Sequence, residues 1–253
     1  MIKAFVFDLD DTLYAYEALD KEARKRVQEL TCGKLGISEE QYQQAYQLGR
    51  TRTKDQLGNV AASHNRMLYY QKTLEYLGAK PMPLSLQLYE TYWGTFLEQM
   101  KLYPGVRELF DCFHRDNIKI AVCTDLTAHI QHRKLEALGL AADIDYLITS
   151  EEAGREKPAG EMFRLCLDKL GLAAAEVCYV GDSFGKDIEG AMAAGMQAVW
   201  FQPEGAQKPE GAQKPEGTQE PEEKKGYLVV HNYDQLRTVY EQWMHTEQKG
   251  TEG

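Results

Sequence analysis

An apolar run at the start of the chain, Phe5-Val6-Phe7, breaks directly into Asp8-Leu9-Asp10-Asp11-Thr12. Such a short run is typical of a buried strand in a parallel sheet, so the carboxylates are expected at its carboxyl end, where open α/β sheets bind ligands. Residues two apart on a strand point to the same side, so Asp8 and Asp10 are expected to converge. Converging carboxylates repel each other unless a cation or a proton lies between them, and Mg²⁺ prefers oxygen ligands. The pair therefore indicates metal-assisted chemistry.

Strand and helix patterns alternate from residue 103 onward. The strands are expected at 118–123, 146–149, 177–180, 198–201 and 227–230, and the helices at 106–115, 128–138, 161–170, 187–194 and 233–244. Strands separated by helical patterns of about ten residues are typical of βαβ units. The pattern predicts an α/β fold with a Rossmann-like, mostly parallel sheet and helices on both faces, to which the first strand also belongs.

A block of helical patterns separates the first strand from the rest. Apolar residues recur at spacings of three and four over 16–30, 38–48, 59–77 and 84–100. We expect an inserted helical bundle at 15–100 and a core formed by 1–14 and 101–253. The tyrosines of this block either fill the bundle core or stack an aromatic substrate; they include Tyr69, Tyr70, Tyr76, Tyr89 and Tyr92.

A repeat interrupts the core at 203–225, where PEGAQK occurs twice and PEGTQE follows. Each unit carries Pro and Gly and no apolar residue larger than Ala, so the segment buries too little surface to offset the entropy of ordering it. We expect a flexible loop, with protein docking as the alternative role. The polar tail at 246–253 is expected to fray.

Composition narrows the class of protein. The net charge of -10 over 253 residues, without a long basic cluster, argues against a nucleic-acid polymer as partner, whereas small anionic substrates remain compatible with it. Five cysteines with no CxxC spacing are typical of reduced thiols. No secretory or membrane-spanning pattern is evident at the start of the chain. We therefore expect a cytoplasmic protein without a membrane partner.

Three further segments supply residue types that the first strand lacks. Thr124 follows a predicted strand, where its hydroxyl and the next backbone N–H groups suit an anion, although threonine is common at strand ends. Lys157 precedes a proline that favours extended backbone, but a lone lysine is more often simply solvated. Asp182 follows a strand and a glycine and is a candidate metal ligand or helix cap; capping is also an alternative for Asp187.

In order and context these segments resemble the four motifs of the haloacid dehalogenase superfamily of hydrolases. The first motif, DxDx[TV], corresponds to residues 8–12, and the second, a Ser or Thr that ends an apolar strand, corresponds to Thr124. The third is a lysine, here Lys157, and the fourth, GDxxxxD, spans 181–187. The helical block between the first two motifs is similar to the subfamily with a helical cap.

The resemblance implies a two-step phosphoryl transfer. Asp8 is the expected nucleophile, which forms an aspartyl phosphate. Asp10 is the expected acid that protonates the leaving oxygen and then the base that deprotonates water. Thr124 and Lys157 are expected to neutralise the other phosphoryl oxygens.

The resemblance also implies a Mg²⁺ site. Asp8, the backbone carbonyl of Asp10, and Asp182 are the expected ligands. Asp187 is not expected to bind the metal directly but to orient metal-bound waters or Lys157.

Asp10 distinguishes between branches of the family. Halide leaves without a proton, and dehalogenating members lack an acid at this position, so Asp10 favours a phosphatase. The alternatives are a dehalogenase-like hydrolase and a catalytically silent phosphate-binding regulatory protein. Asp125 departs from the family pattern, in which Asn is common, and a carboxylate there repels phosphate unless it turns away.

Specificity in such a capped enzyme is expected from the insertion, and the expected substrate is a small phosphate ester, such as a sugar phosphate, a nucleotide or flavin mononucleotide. Five basic residues of the insertion are candidates for contact with that substrate, with simple solvation as the alternative: Arg50, Arg52, Lys54, His64 and Arg66. The sequence leaves the oligomeric state open.

Overall fold

The computed structural model describes residues 1–203, 221–224 and 226–250, and these contain one seven-stranded sheet. The strands are β1 (Ala4–Phe7), β2 (Lys119–Thr124), β3 (Tyr146–Thr149), β4 (Val177–Gly181), β5 (Gln197–Phe201), β6 (Glu222–Lys224) and β7 (Tyr227–Val230). Their order is β3-β2-β1-β4-β5-β7-β6, with every neighbouring pair parallel except β6 and β7. Because β1 lies between β2 and β4, the carboxyl ends of these three strands meet at one edge.

Helices cover both faces of this sheet. They are α5 (Val106–Arg115), α6 (Ala128–Ala137), α7 (Ser150–Ala153), α8 (Gly160–Leu170), α9 (Glu189–Ala193) and α10 (Tyr233–Gly250). Successive side chains of β1 point to opposite faces. Phe5 stacks on Phe113 of α5 with 4.4 Å between ring centroids, whereas Val6 lies in a second buried cluster with Phe163 of α8. The predicted α/β class, with its mostly parallel sheet and two helical layers, is confirmed.

Four helices occupy the chain between β1 and α5, namely α1 (Glu17–Leu35), α2 (Glu39–Leu57), α3 (Arg66–Tyr76) and α4 (Leu84–Glu98). Helix α1 packs on α4 and α2 packs on α3. Tyr69, Tyr70 and Tyr92 are buried among these helices, whereas nearly half of the Tyr76 surface is exposed. The division of the chain into a cap at 15–100 and a core stays a prediction.

Several helical boundaries differ from those predicted, and two of these differences have a clear physical cause. Helix α2 continues through Gly49 to Leu57, nine residues beyond the predicted end. Gly49 does not stop the helix; it allows close packing on α3, since a Cβ at this position would lie 2.9 Å from the carbonyl oxygen of Tyr69. The single helix predicted at 59–77 is a 3-10 turn, Ala61–His64, followed by α3. Asn65 separates them and accepts a hydrogen bond from the backbone N–H of Met67 as the N-cap of α3.

The carboxyl-terminal part also holds more regular structure than predicted. Residues 222–224, assigned to the flexible loop, form β6, which pairs with β7 across a two-residue connection. Helix α10 continues to Gly250, so the expected fraying from residue 246 is wrong up to that point. The rest of the predicted flexible loop, residues 204–220 and 225, and the last three residues of the chain lie outside the described residues.

Replacing Gly49 with alanine tests the close approach of α2 and α3. An alanine in a helix interior ordinarily gains about 0.5–1 kcal/mol over glycine, but the contact with the Tyr69 carbonyl requires the helices to separate. We expect Gly49→Ala to lower the free energy of unfolding by about 1–3 kcal/mol in urea denaturation. Gly94→Ala on α4 is the matched control, since a Cβ there meets no atom within 4 Å and should leave the protein as stable or more stable. Equal behaviour of the two variants would contradict this packing.

Candidate active site

Three neighbouring strands end in predicted site residues. Asp8 follows β1, Thr124 is the last residue of β2 and Asp182 follows β4. The backbone N–H of Asp8 donates to the Val180 carbonyl at 2.9 Å, which continues the pairing of β1 with β4 to the point where the carboxylates begin. The sheet therefore brings together residues that lie far apart in sequence.

Lys157 occupies the centre of this edge although it belongs to a loop. Its Nζ lies 2.8 Å from Asp8 Oδ1 and 2.6 Å from Asp187 Oδ1, and it donates to the Tyr179 hydroxyl at 3.2 Å. Burial disfavours the ammonium form, but the two carboxylates outweigh it and hold the pKa of Lys157 well above its ordinary value. Lys157 is buried and charged and is not a solvated surface lysine.

Asp8, Asp182 and Asp187 form an acidic cluster in which one oxygen from each lies within 4.8 Å of the others. Burial raises the pKa of Asp8; Lys157 opposes this, and Asp187 and Asp182 add to it. Burial and then Asp187 raise the pKa of Asp182 to about 7. Carboxylate oxygens that repel one another in a buried site are a donor set that a hard divalent cation satisfies, so the cluster could hold a metal ion.

The turn after β4 places the third carboxylate of this cluster. Asp187 lies in a π-helical turn, Phe184–Ile188, and accepts a hydrogen bond from the backbone N–H of Ser183 at 3.0 Å. A Cβ at Gly181 would lie 2.5 Å from the Asp187 side chain, so glycine is required for the approach. The side chain of Asp187 thus lies in the cluster and contacts Lys157; its predicted role, to orient metal-bound waters or Lys157, stays a prediction.

The Asp10 carboxylate lies outside the acidic cluster and contacts a different cation. Lys134 Nζ on α6 donates to Asp10 Oδ1 at 2.6 Å and to Oδ2 at 2.9 Å, and the Tyr14 hydroxyl donates to Oδ1 at 2.6 Å. A predicted Asp10 contact with a metal therefore rests on the backbone carbonyl. Burial lowers the pKa of Lys134, and Asp10 opposes this shift.

Sequence reasoning missed Lys134, although a signal for it exists. Lys134 lies four residues from Ile130 and four from Leu138, so it falls on the apolar face of α6. A lysine in that position is unusual without a buried partner.

Thr124 and Asp125 contact other groups at the end of β2. The Thr124 hydroxyl is buried and accepts a hydrogen bond at 2.9 Å from Gln131, a second residue of α6 that the sequence analysis did not single out. Asp125 turns toward cations and N–H groups: its carboxylate accepts from the Lys157 backbone N–H at 3.0 Å and from Lys186 Nζ at 2.8 Å. These bonds compensate the charge of Asp125.

The basic residues of the insertion have different environments. Arg66 is buried, with its guanidinium carbon 4.6 Å from the Tyr92 ring centroid and 5.0 Å from that of Trp93, so it serves the packing of the helices. His64 contacts the loop that carries Lys157: its Nε2 lies 3.1 Å from Oε1 of Glu156, the residue before Lys157. The remaining three basic residues lie on α2.

The cysteines do not contribute to this site. None of the five forms a disulfide. Cys123, next to Thr124, is fully buried, and burial raises the pKa of its thiol well above the ordinary value. This environment fits a packing role.

Comparison with known proteins supports the same class of enzyme. A family model described as haloacid dehalogenase-like hydrolase matches residues 2–195. The chain is 41% identical over 208 residues to ribulose-1,5-bisphosphate 5-phosphatase of Halopiger xanaduensis, covering 80% of this chain and 86% of that protein. It is 32% identical over 203 residues to glyceraldehyde 3-phosphate phosphatase of Methanopyrus kandleri, covering 79% and 83%.

The fold is also similar to that of solved structures. The 2-haloacid dehalogenase of Pseudomonas syringae pv. Tomato superimposes with a TM-score of 0.72 and 24% identity, over 96% of this chain and 100% of that one. An HAD phosphatase of Thermococcus onnurineus gives a TM-score of 0.66 and 22% identity, over 94% and 98%.

The mostly parallel α/β sheet, the carboxylate-rich edge and the phosphatase-named relatives define a phosphoric monoester hydrolase. The chain belongs to the haloacid dehalogenase-like hydrolase family, as its four motifs predicted. Within the described residues, no helix combines the length and apolar composition needed to cross a membrane.

Mg²⁺ binding should weaken as pH falls through the pKa of Asp182. The raised pKa means that the folded protein holds a proton on Asp182 more tightly than the unfolded chain does, and a metal has to displace that proton. We expect the apparent Mg²⁺ affinity to fall about tenfold for each pH unit below about 7. The rise in melting temperature on adding Mg²⁺ should therefore be larger at about pH 8 than at about pH 5.

Two variants test the origin of this pH dependence. Asp182→Asn should remove most of the Mg²⁺-induced stabilisation. Asp143→Asn, which changes a carboxylate paired with Arg107 outside the cluster, should retain it. A Mg²⁺ effect that is independent of pH would contradict the assignment.

Proposed function

We propose that this protein is a Mg²⁺-dependent phosphatase that hydrolyses a small phosphorylated metabolite through an aspartyl phosphate on Asp8. The observation that carries the proposal is the pairing of the buried Asp8 carboxylate with Lys157, in the same cluster as Asp182 and Asp187. The two curated relatives described above are named as phosphatases of a pentose bisphosphate and a triose phosphate. Phosphoric monoester hydrolysis is accordingly the activity of this enzyme.

In the first step, a carboxylate oxygen of Asp8 attacks phosphorus. The bond between phosphorus and the leaving oxygen breaks, and the Asp10 carboxyl group gives its proton to that oxygen, so the alcohol departs neutral. Asp8 becomes an acyl phosphate and Asp10 becomes a carboxylate. Asp10 suits this transfer because 27% of its side chain is exposed, whereas Asp8 is held against Lys157.

In the second step, water attacks the phosphorus of the aspartyl phosphate. Asp10 takes a proton from that water, the bond between phosphorus and the Asp8 oxygen breaks, and inorganic phosphate is released. Both carboxyl groups then return to their initial protonation states, so one water molecule is consumed in each turnover.

The charge of the phosphoryl group requires several donors. Lys157 and the hydroxyl of Thr124 would neutralise its oxygens, and the Gln131 amide orients that hydroxyl by donating to it. Asp187 holds the Lys157 ammonium at 2.6 Å and so fixes where this charge is presented. These donors act in a buried setting, where electrostatic stabilisation is stronger than in water.

The acidic cluster fits Mg²⁺ because all its side-chain donors are carboxylate oxygens. Asp8, Asp182 and the backbone carbonyl of Asp10 would be the ligands. When bound, Mg²⁺ supplies positive charge that offsets the negative charge of the phosphoryl group.

The helical block at 15–100 is part of the proposal as the cap that selects the substrate. Its helix α4 packs on α6, the helix that carries Lys134 and Gln131, so it lies next to the residues that contact Asp10 and Thr124. A sugar phosphate is the first substrate class to test. The cytoplasmic location and the lack of nucleic-acid and membrane partners stay predictions.

Asp8→Asn should abolish turnover while leaving the fold intact, because an amide cannot form the acyl phosphate. We expect phosphate release from a panel of sugar phosphates, nucleotides and aryl phosphates to fall at least about 1,000-fold. Chelator in excess over Mg²⁺ should suppress release by the wild-type protein. Unchanged activity of Asp8→Asn would remove Asp8 from the mechanism.

Asp11→Asn is the matched control for this variant. Asp11 lies beside the catalytic pair, but its carboxylate accepts a hydrogen bond from the Tyr16 backbone N–H at 2.8 Å, which an amide oxygen can also accept. Its backbone has a φ of 57°, a region that Asn tolerates well. The phosphatase activity of Asp11→Asn should stay within about threefold of the wild type.

The same assay separates the two alternatives. A dehalogenase-like hydrolase would release halide from a 2-haloacid such as 2-chloropropionate and no phosphate from the esters. A silent phosphate-binding protein would release neither, with or without Mg²⁺, while inorganic phosphate would still raise its melting temperature.

A further inference from the structure

The two oxygens of the Asp10 carboxylate have different environments. Oδ1 accepts two short hydrogen bonds, from Lys134 Nζ at 2.6 Å and from the Tyr14 hydroxyl at 2.6 Å. Oδ2 accepts only the longer bond from Lys134, at 2.9 Å, among the residues that the structure describes. An oxygen with two short bonds has little capacity for a further proton, so Oδ2 is the atom left to exchange one.

Lys134 cannot itself reach a substrate. Its side chain has no exposed surface, whereas 27% of the Asp10 side chain is exposed. In the described part of the chain, Asp10 is the only hydrogen-bonding partner of the Lys134 ammonium. Because a buried ammonium without a partner is costly, Lys134 is confined to this contact.

Aromatic rings enclose the Lys134 ammonium on its other sides. Four ring centroids lie 5.7–5.8 Å from Nζ, those of Tyr14, Tyr16, Trp93 and Phe96. Trp93 and Phe96 belong to α4, and Lys134 belongs to α6. The faces of such rings attract a cation, so the packing of α4 on α6 fixes the lysine.

We propose that Lys134 is a positioning residue for the phosphatase reaction, which together with Tyr14 fixes Asp10 Oδ1 and leaves Oδ2 to pass the proton to the leaving oxygen. This inference rests on the proposed function, in which Asp10 is the acid. Lys134 acts through Asp10 and does not touch the substrate. Two of the rings around the Lys134 ammonium belong to α4, so the orientation of the Asp10 carboxylate depends on this helix. The helical insertion therefore contributes to proton transfer as well as to substrate selection.

Leaving-group dependence tests this role, because proton donation matters most when the leaving group is poor. Phenyl phosphate and 4-nitrophenyl phosphate are similar in shape, but phenolate, whose conjugate acid has a pKa of about 10, needs the proton far more than 4-nitrophenolate does. For Lys134→Met we expect kcat/KM to fall at least about 100-fold on phenyl phosphate and less than about tenfold on 4-nitrophenyl phosphate.

Two control variants separate positioning from a structural role. Arg133→Met removes the neighbouring side chain, which contacts Glu90 of α4 at 3.7 Å, so it disturbs the same helix contact without touching Asp10. It should leave the ratio of the two kcat/KM values unchanged. Lys134→Arg keeps a donor cation and should restore the wild-type ratio, at least in part.

A uniform loss on both esters, or a change of ratio in Arg133→Met equal to that in Lys134→Met, would overturn the inference. Thermal unfolding checks that each variant folds. If Lys134→Met does not fold, Tyr14→Phe provides the same test, since it removes the other donor to Oδ1. It should lower kcat/KM more on phenyl phosphate than on 4-nitrophenyl phosphate. Failure of the proposed function is recognised separately: the wild-type protein would release no phosphate from any ester, or Asp8→Asn would stay active.

Discussion

The buried ammonium of Lys157 holds the carboxyl edge of the sheet together. Asp8 after β1 and Asp187 after β4 both contact this ammonium, and the backbone N–H of Lys157 donates to Asp125 after β2. One residue thus links the ends of three adjacent strands. Without this cation, Asp8, Asp182 and Asp187 would be three carboxylates in a low-dielectric site, which repel one another or take up protons. The same charge that balances the cluster at rest is available to a phosphoryl group.

Residues at strand ends could be predicted because a parallel sheet brings them together by construction. Asp8, Thr124 and Asp182 each follow an apolar run, and the register of β2, β1 and β4 then places them side by side. Lys157 was predicted only through the family resemblance, since a loop lysine before proline carries no local signal for burial. Local patterns indicate which strand a residue ends, but not which loop folds over it.

Contacts between distant elements account for what the sequence did not reveal. Lys134 and Gln131 share α6 with apolar residues, and their partners, Asp10 and Thr124, lie on other elements. Gly49 resembles a helix stop in sequence, but it lies inside α2, where a Cβ would clash with α3. In both cases the deciding interaction is tertiary, and helical periodicity alone contains no information about it.

The β6–β7 hairpin has a consequence for the repeat that precedes it. Its two strands pair with each other across a connection of two residues, and Gly226 within it has a φ of 92°, so the register of the hairpin is set locally. In sequence, the repeat lies between β5 and this hairpin. Doubling the length of such a connection costs only about 0.6 kcal/mol in closure entropy. A change in the number of six-residue units is therefore expected to leave the pairing of β6 with β7, and the catalytic edge, unchanged.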